Sequence, residues 1–440
     1  MKEGVGPEYL RPNRKSEAWG HWTNKYFGTD EFIRFCRDLN VEPLICVNAG
    51  SGSPEEAAQW VEYCNGDINT PMGQLRAKNG HPEPYNVKYW EIGNEIYGPW
   101  QTGHCTAEEF ARKIIEFHKA MKKVDPDIIL LGCGHTDPEW SRTVLDIAGE
   151  YIDYLTLHIY HSYRHLGINE NSPRQDRFKG IVCYPEVTRA CLNAIKEIIE
   201  SNSKYAHVKL AITEYNTMYF PSTIRQGMPN EHTLEAAVAN AANLNEFLRN
   251  SDIIDIGSFS DLVNGWLGGC IRVGDNYAEQ INGKIPGWSG KGHVIYGTPT
   301  YYVLKMYANR DIAYIVDTET ECDTFDVPHN ITGKLADGLC LSKLPKLDVV
   351  SCINETKDTI TLFVVNRSME DIQTQIDFSG IELEDPAKLW ELSGDDIDDI
   401  NDVFNPKNII PESEYREIDV NNNDLTETFK AHSVNILEFK

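Results

Sequence analysis

Short apolar runs alternate with longer amphipathic segments over roughly the first 305 residues of the chain. The apolar runs carry few polar residues along their length, which predicts parallel strands covered on both faces. The predicted strands are Pro43–Asn48, Val87–Ile92, Ile128–Cys133, Ile152–Ile159, Val208–Thr213 and Ile254–Val263. Strands of this kind are expected to form one sheet with helices packed against it.

The segments between these strands have the spacing of amphipathic helices. The predicted helices are Thr29–Leu39, Pro54–Tyr63, Ala107–Val124, Pro185–Ser201 and Thr233–Asn250. Two of them begin at a cap signal, since Ser53 precedes Pro54 and Thr106 stands three residues before Glu109. Alternating strands and helices over about 300 residues predict an α/β fold and favour a TIM (β/α) barrel over an open sheet. No glycine-rich nucleotide-binding motif follows a strand, which removes the main reason to predict a Rossmann or P-loop fold.

From about residue 346 the pattern changes to short strands with alternating apolar positions, which is typical of an antiparallel β-sandwich. The predicted strands here are Leu347–Asn354, Thr359–Asn366, Gln373–Phe378, Ala387–Leu392, Thr428–Ala431 and Val434–Phe439. The sequence therefore predicts two domains. A TIM-barrel catalytic domain is expected over residues 1–305, and an all-β C-terminal sandwich over residues 306–440.

The net charge of the chain limits the classes of binding partner that are expected. The 440 residues include 41 Lys+Arg and 67 Asp+Glu, a formal net charge of −26. A surface this acidic repels nucleic acid and anionic lipid, so neither is an expected partner. No apolar run reaches the roughly 18 to 20 residues needed to span a bilayer, and the first ten residues lack the apolar stretch of a secretory signal.

The chain has 11 cysteines, an odd number, and several lie inside apolar runs. This usage fits reduced thiols in a cytoplasmic protein better than a disulfide framework. No CxxC pair or His/Cys cluster has the spacing of a structural zinc site, so no metal is expected.

Candidate chemistry lies just after two of the predicted strands. In a TIM barrel the active site forms where strands end at their C-terminal side. Glu95 follows Val87–Ile92, and Glu214 follows Val208–Thr213. Two carboxyl groups at this face suit glycoside hydrolysis, because one can protonate the leaving oxygen while the other attacks the anomeric carbon. Most loop glutamates are solvated or ion-paired, but the adjacent Asn94 and the aromatic neighbours favour a catalytic pair here.

Three segments, KYWEIGNEIYGPWQTGH, LTLHIYH and LAITEYN, resemble the α-L-arabinofuranosidases of glycoside hydrolase family 51. The resemblance covers nearly the whole chain. It implies a TIM barrel followed by a β-sandwich, and removal of terminal arabinofuranosyl units with net retention. It also implies an arabinose-containing oligosaccharide or polysaccharide as partner, no cofactor, and a homo-oligomer.

Carried over motif by motif, the resemblance implies that Glu95 is the general acid/base and Glu214 the nucleophile. Asn94 would hydrogen-bond the sugar 2-hydroxyl. His158 and Tyr160 match the family's HxY pair, and Tyr160 would hold and orient the nucleophile.

Two further expectations are physical. The carboxyl groups of a retaining pair stand about 5 to 5.5 Å apart. An acid/base needs a raised pKa, so Glu95 is expected to be the more buried of the two glutamates or to face the other carboxylate. Trp100, shortly after Glu95, is a candidate sugar platform, with simple lid packing as its alternative.

The N-terminal part of the chain differs from that of the family. Family barrels carry the acid/base after strand four and the nucleophile after strand seven, whereas Glu95 follows the second predicted strand and Glu214 the fifth. The chain is therefore expected to lack the first two barrel strands and to be poorly active. An endo-acting β-glycanase of the same clan and a catalytically impaired fragment that only binds carbohydrate are the alternatives.

Overall fold

The structure is a computed structural model. It describes residues 3–20, 22–23, 25–162, 172–218, 224–225, 228–229, 232–264, 269–274, 293–327, 343–378, 386–411, 415–418 and 424–440. The chain divides into two compact units, and each consists of two segments. The first is Met1–His158 with Asn193–Ile212, and the second is Ile159–Leu192 with Thr213–Lys440.

The first unit contains alternating strands and helices. Its strands are β1 (Arg14–Lys15), β2 (Trp22–Thr23), β3 (Leu44–Val47), β4 (Tyr89–Ile92) and β5 (Ile129–Cys133). Its helices are α1 (Thr29–Asp38), α2 (Pro54–Asn65), α3 (Pro71–Lys78), α4 (Ala107–Val124) and α5 (Pro138–Ala148). Three elements cross the division between the units: β6 (Tyr154–Ser162), α6 (Arg174–Glu200) and β7 (Lys209–Met218).

The second unit continues with shorter strands, two helices and a β-rich C-terminal part. Its first elements are β8 (Ile224–Arg225), β9 (Met228–Pro229), α7 (Leu234–Arg249), β10 (Ile254–Phe259), β11 (Ile271–Val273), β12 (Ile295–Gly297) and α8 (Pro299–Ala308). Its later strands are β13 (Tyr314–Val316), β14 (Thr324–Asp326), β15 (Lys343–Pro345), β16 (Leu347–Ile353), β17 (Ile360–Asn366), β18 (Ile372–Asp377), β19 (Ala387–Leu392), β20 (Arg416–Ile418), β21 (Asp424–Phe429) and β22 (Val434–Phe439).

A six-stranded sheet has the order β3-β4-β5-β6-β7-β10, which follows the chain. The pairs β3–β4, β4–β5 and β5–β6 are parallel. Each of these strands lies beside the one before it, as in a TIM barrel. The predicted fold class is confirmed: the described residues supply six strands of a barrel sheet, and an all-β part follows.

The strands read as continuous apolar runs because both faces are covered. In β5 the consecutive residues Leu130 and Leu131 are both fully buried, although their side chains point to opposite faces. Helix α4 buries Phe110, Ile114 and Phe117 at the three- and four-residue spacing of one helical face. Among the described residues, no helix combines the length and apolar character needed to cross a bilayer.

Some predicted boundaries are wrong. Helix α6 begins at Arg174, so Pro185 lies inside it and does not start it. A proline there removes one backbone hydrogen bond. The neighbouring Val182 and Val187 are buried in an apolar core, and this packing offsets the loss. The sequence pattern also gave no sign of α3, α5 and α8.

The C-terminal strands form an antiparallel sheet of order β13-β16-β17-β22-β19-β20, and β18 pairs with β21. Strand β17 lies between β16 and β22, with Phe363 opposite both Val350 and Ile436. The predicted β-rich C-terminal part is confirmed. The boundary between residues 305 and 306 stays a prediction, and helix α8 spans that position.

Candidate active site

Glu95 lies just beyond the end of β4, where the backbone makes a left-handed turn. Gly93 has φ 74° and Glu95 itself has φ 44°. A side chain added at Gly93 would place its Cβ 3.1 Å from the Cβ of Ala49. Positive φ is uncommon for a residue other than glycine, and such positions concentrate at functional sites. Asn94 stands half-buried between them.

Both oxygens of the Glu95 carboxylate have partners. His158 Nδ1, from β6, lies 2.8 Å from Oε1, and Trp100 Nε1 donates to Oε2 at 2.7 Å. The Glu95 and His158 side chains are only 17% and 5% exposed. An ionised carboxylate accepts only, so the His158 Nδ1 atom carries the proton of this bond.

The pKa of Glu95 differs from the expectation. Burial raises the pKa, but the hydrogen bond and charge of His158 together with hydrogen bonds from Trp100 and Gln101 lower it more, and the result lies below the ordinary value. The expected raised pKa of Glu95 is therefore wrong for the free protein, because its partners stabilise the charged form.

Glu214 lies in the central part of β7 and belongs to the second unit. Tyr160 Oη, from β6, donates to Glu214 Oε2 at 2.5 Å and lies 2.8 Å from Ser260 Oγ. Burial, followed by the charge and hydrogen bond of Glu214, raises the pKa of Tyr160. The phenol therefore stays neutral and remains a donor to the carboxylate.

The backbone holds Ser260 at the end of β10. Asn216 Nδ2 donates to the Ser260 carbonyl at 2.6 Å, and the Ser260 amide donates to the Tyr215 carbonyl at 3.1 Å. Ser260 Oγ donates to Asp261 Oδ1 at 3.0 Å. The sequence analysis missed Ser260 and Asp261 because the predicted strand ran on to Val263, whereas β10 ends at Phe259. Reading the residues after the true strand end would have found both.

The predicted site residues thus form two groups. Glu95, Asn94, Trp100 and His158 belong to the first unit, while Tyr160 and Glu214 belong to the second. A carboxylate and an imidazole such as Glu95 and His158 can also ligate transition metals. In this structure His158 Nδ1 and Glu95 Oε1 bond directly to each other at 2.8 Å.

Two family models match the chain. Residues 1–178 match the alpha-L-arabinofuranosidase 1 domain, and residues 213–433 match the alpha-L-arabinofuranosidase C-terminal domain. A probable alpha-L-arabinofuranosidase C of Aspergillus clavatus is 31% identical over 91% of this chain and 75% of its own length. The chain belongs to glycoside hydrolase family 51.

Other family 51 members agree. The intracellular exo-alpha-(1->5)-L-arabinofuranosidase 1 of Bacillus subtilis is 27% identical over 100% of this chain and 84% of its own length. The crystal structure of the alpha-L-arabinofuranosidase from Thermotoga maritima in an arabinose complex superposes with a TM-score of 0.81 and 31% identity, covering 99% of this chain and 83% of that one. The chain is thus a glycoside hydrolase of family 51, as the resemblance implied.

Proposed function

We propose that this family 51 chain is a retaining, exo-acting α-L-arabinofuranosidase. It releases terminal arabinofuranosyl units from oligosaccharides derived from arabinan or arabinoxylan by double displacement. The observation that carries the proposal is that Glu95, just beyond β4, and Glu214, within β7, each have their own hydrogen-bonding residues. The name of the Bacillus subtilis relative supports exo action and a cytoplasmic location.

Glu214 acts as the nucleophile in this proposal. The Tyr160 hydroxyl donates to one carboxylate oxygen and favours the ionised form, which is the form that attacks the anomeric carbon. Attack forms a glycosyl-enzyme ester as the bond to the leaving oxygen breaks.

Glu95 acts as the general acid/base. It donates a proton to the leaving oxygen in the first step and removes a proton from water in the second, so that it ends each cycle protonated. Its side chain is largely buried beside His158, and its outer oxygen contacts the half-exposed Trp100. The exposed side of Trp100 is where the leaving group would lie, and Asn94 beside Glu95 is proposed to bind the sugar 2-hydroxyl.

Azide rescue tests both assignments. We expect Glu95→Ala to lose about 10² to 10⁴-fold in kcat on oligosaccharides. With an activated aryl arabinofuranoside, azide should restore turnover and give a glycosyl azide that keeps the configuration of the substrate. Glu214→Ala should instead give the azide of opposite configuration, since no covalent intermediate forms.

The exposed Glu139, whose side chain is 81% exposed, provides a matched control as Glu139→Ala. Full activity in Glu95→Ala without any azide product would contradict the assignment. Release of long products in place of single arabinose units would favour an endo-acting glycanase. Absence of hydrolysis by the unaltered chain would favour the alternative of a catalytically impaired fragment that only binds carbohydrate.

A further inference from the structure

The loop after Glu95 folds back on itself and brings Trp100 to the acid/base. The Gly98 amide donates to the Glu95 carbonyl at 2.7 Å, and the Gln101 amide donates to the Gly98 carbonyl at 2.9 Å. These two turns place the indole Nε1 at 2.7 Å from Glu95 Oε2. Trp100 nevertheless remains 46% exposed. The same indole thus contacts both the carboxylate and solvent.

Gly98 makes this position possible. A Cβ at Gly98 would lie 2.3 Å from Trp100 Cε2, well inside van der Waals contact. Gly98 is buried, and its φ lies outside the left-handed range, so its backbone does not need glycine. The reason for glycine at this position is the indole that lies over it.

One edge of the indole rests on an aromatic support. The Trp100 and Tyr97 rings meet edge to face with centroids 6.1 Å apart, and Tyr97 packs against His135 at 4.1 Å and Trp140 at 5.7 Å. The opposite side of Trp100 is exposed. The indole can therefore move outward without disturbing Tyr97, which is held by the two rings behind it.

The two oxygens of Glu95 differ in what they can do. Oε1 points to the buried His158, whereas Oε2 points to the exposed indole. A leaving group that arrives from solvent would meet Oε2, so the transferable proton belongs there. A charged carboxylate accepts the indole N–H more strongly than a neutral carboxyl group does. The bond from Trp100 therefore stabilises the ionised form of Glu95 and opposes protonation at Oε2.

We propose, on the basis of the proposed function, that Trp100 is a displaceable hydrogen-bond donor that keeps Glu95 ionised until the leaving group of the substrate moves the indole away. Solvent then supplies a proton to Oε2, and Glu95 passes it to the leaving oxygen as the glycosidic bond breaks. In the second step the carboxylate takes a proton from water, and once that proton is lost to solvent Oε2 can accept the indole N–H again. Trp100 is a positioning residue in this scheme, because it acts through Glu95.

The pH dependence of hydrolysis of an arabino-oligosaccharide tests the proposal, since a poor leaving group requires the acid. The alkaline limb of kcat/KM reports Glu95 in the free enzyme, and that of kcat reports it in the complex. We expect Trp100→Phe to move the kcat/KM limb upward by roughly half a unit to one unit, because one hydrogen bond to the carboxylate is lost. The kcat limb should stay in place.

Gly98→Ala is the second variant, because it keeps the indole but pushes it off Gly98, and it should move the same limb in the same direction. Trp140→Phe is the matched control: it alters the support of Tyr97 without reaching Glu95, and no limb should move. The other titratable groups near Glu95, namely His158 and the Cys133 thiol of β5, are unchanged in every variant. A change in KM alone with both limbs in place would identify a simple sugar platform and overturn the proposal.

A readout independent of activity separates this proposal from the proposed function. The indole N–H resonance of Trp100, assigned by its loss in Trp100→Phe, should titrate with Glu95 and stop titrating in Glu95→Gln. Adding an arabino-oligosaccharide should shift it. A resonance that is insensitive to both pH and the sugar would overturn the role of Trp100 even in an active enzyme. A titrating resonance that the sugar shifts, in a protein without hydrolysis, would count against the proposed function only.

Discussion

At the residue scale, the single proton of the Tyr160 hydroxyl decides which neighbouring oxygen receives a hydrogen bond from it. Tyr160 has one proton and two close oxygen neighbours, Glu214 at 2.5 Å and Ser260 at 2.8 Å. A carboxylate is the stronger acceptor, so the proton goes to Glu214. Ser260 Oγ stays within hydrogen-bond distance of the phenol, while its own proton goes to Asp261. Tyr160 thus connects the candidate nucleophile to the end of β10.

Removing this hydroxyl gives the first prediction. Tyr160→Phe should lower kcat roughly 100-fold, the typical loss when one donor to a charged reacting group is deleted. Steady-state kinetics on an aryl arabinofuranoside measure the effect. Tyr205→Phe is the control, since it removes a hydroxyl that donates to Asp146 of α5 at 2.8 Å, and its activity should be unchanged. Wild-type kcat in Tyr160→Phe would show that the phenol does not orient Glu214.

At the element scale, helix α4 begins directly after the loop of the acid/base. The Cys105 amide donates to the Ile96 carbonyl at 3.0 Å, which closes the loop just before the helix. Thr106 and Glu109 form a capping box, with the Glu109 amide 3.3 Å from Thr106 Oγ1 and the Thr106 amide 3.0 Å from Glu109 Oε2. This box was predicted from the sequence because it needs only residues three apart.

The cap gives the second prediction. Thr106→Ala should lower the free energy of unfolding by about 1 kcal/mol, because it leaves an amide at the start of α4 without its partner. Urea titration at neutral pH measures it. Thr143→Ala within α5 removes a hydroxyl that bonds only the Glu139 carbonyl one turn back, and it should cost nothing measurable. Equal losses in the two variants would contradict the capping role.

Predicted element boundaries were wrong where they depend on contacts between segments that are distant in the sequence. Pro185 looked like a helix start, since proline favours the first turn. The buried face of α6 extends the helix back to Arg174. The predicted strand Ile254–Val263 ran on to the apolar Leu262 and Val263, so the strand end at Phe259 was not predicted.

At the scale of the whole molecule, a charged cluster within the second unit joins helix α7 to strand β16. Arg249 contacts Asp348 at 2.5 Å and Glu246 at 3.2 Å, and Arg189 contacts Glu246 at 2.7 Å. Burial raises the pKa of Asp348, but the charges of Arg367 and Arg249 lower it by more, so the pKa lies below its ordinary value. Some of the acidic residues of this chain are therefore buried and paired rather than exposed to solvent.

His161 gives the third prediction, on stability against pH. It is fully buried on β6, its ring centroid is 4.6 Å from that of Tyr184, and burial lowers its pKa to about 4. In the unfolded chain the pKa of this histidine is about 6.5, whereas in the folded chain it is about 4. Protonation therefore favours the unfolded chain, and stability is lost as pH falls from about 6.5 toward 4.

Between pH 7 and pH 5 this single group should cost about 2 kcal/mol of unfolding free energy. His161→Phe should remove that part of the pH dependence, as measured by urea titration at both pH values. Replacing the exposed His207 with Gln is the control and should leave the slope unchanged. An unaltered slope in His161→Phe would mean that another group governs acid stability.

The sequence by itself determined the α/β class, the β-rich C-terminal part and the position of Glu95 after a strand, because apolar periodicity and short motifs are local properties. It did not show that the strand of Glu214 runs on to Met218. Tertiary structure decided the partner of each carboxylate oxygen. His158 is 63 positions from Glu95, Tyr160 is 54 from Glu214, and Ser260 is 100 from Tyr160. Burial alone would have raised the pKa of Glu95, but the hydrogen bond and charge of His158, with hydrogen bonds from Trp100 and Gln101, set it below its ordinary value. Hydrogen bonds depend on distance in space, and a sequence fixes that distance only through the fold.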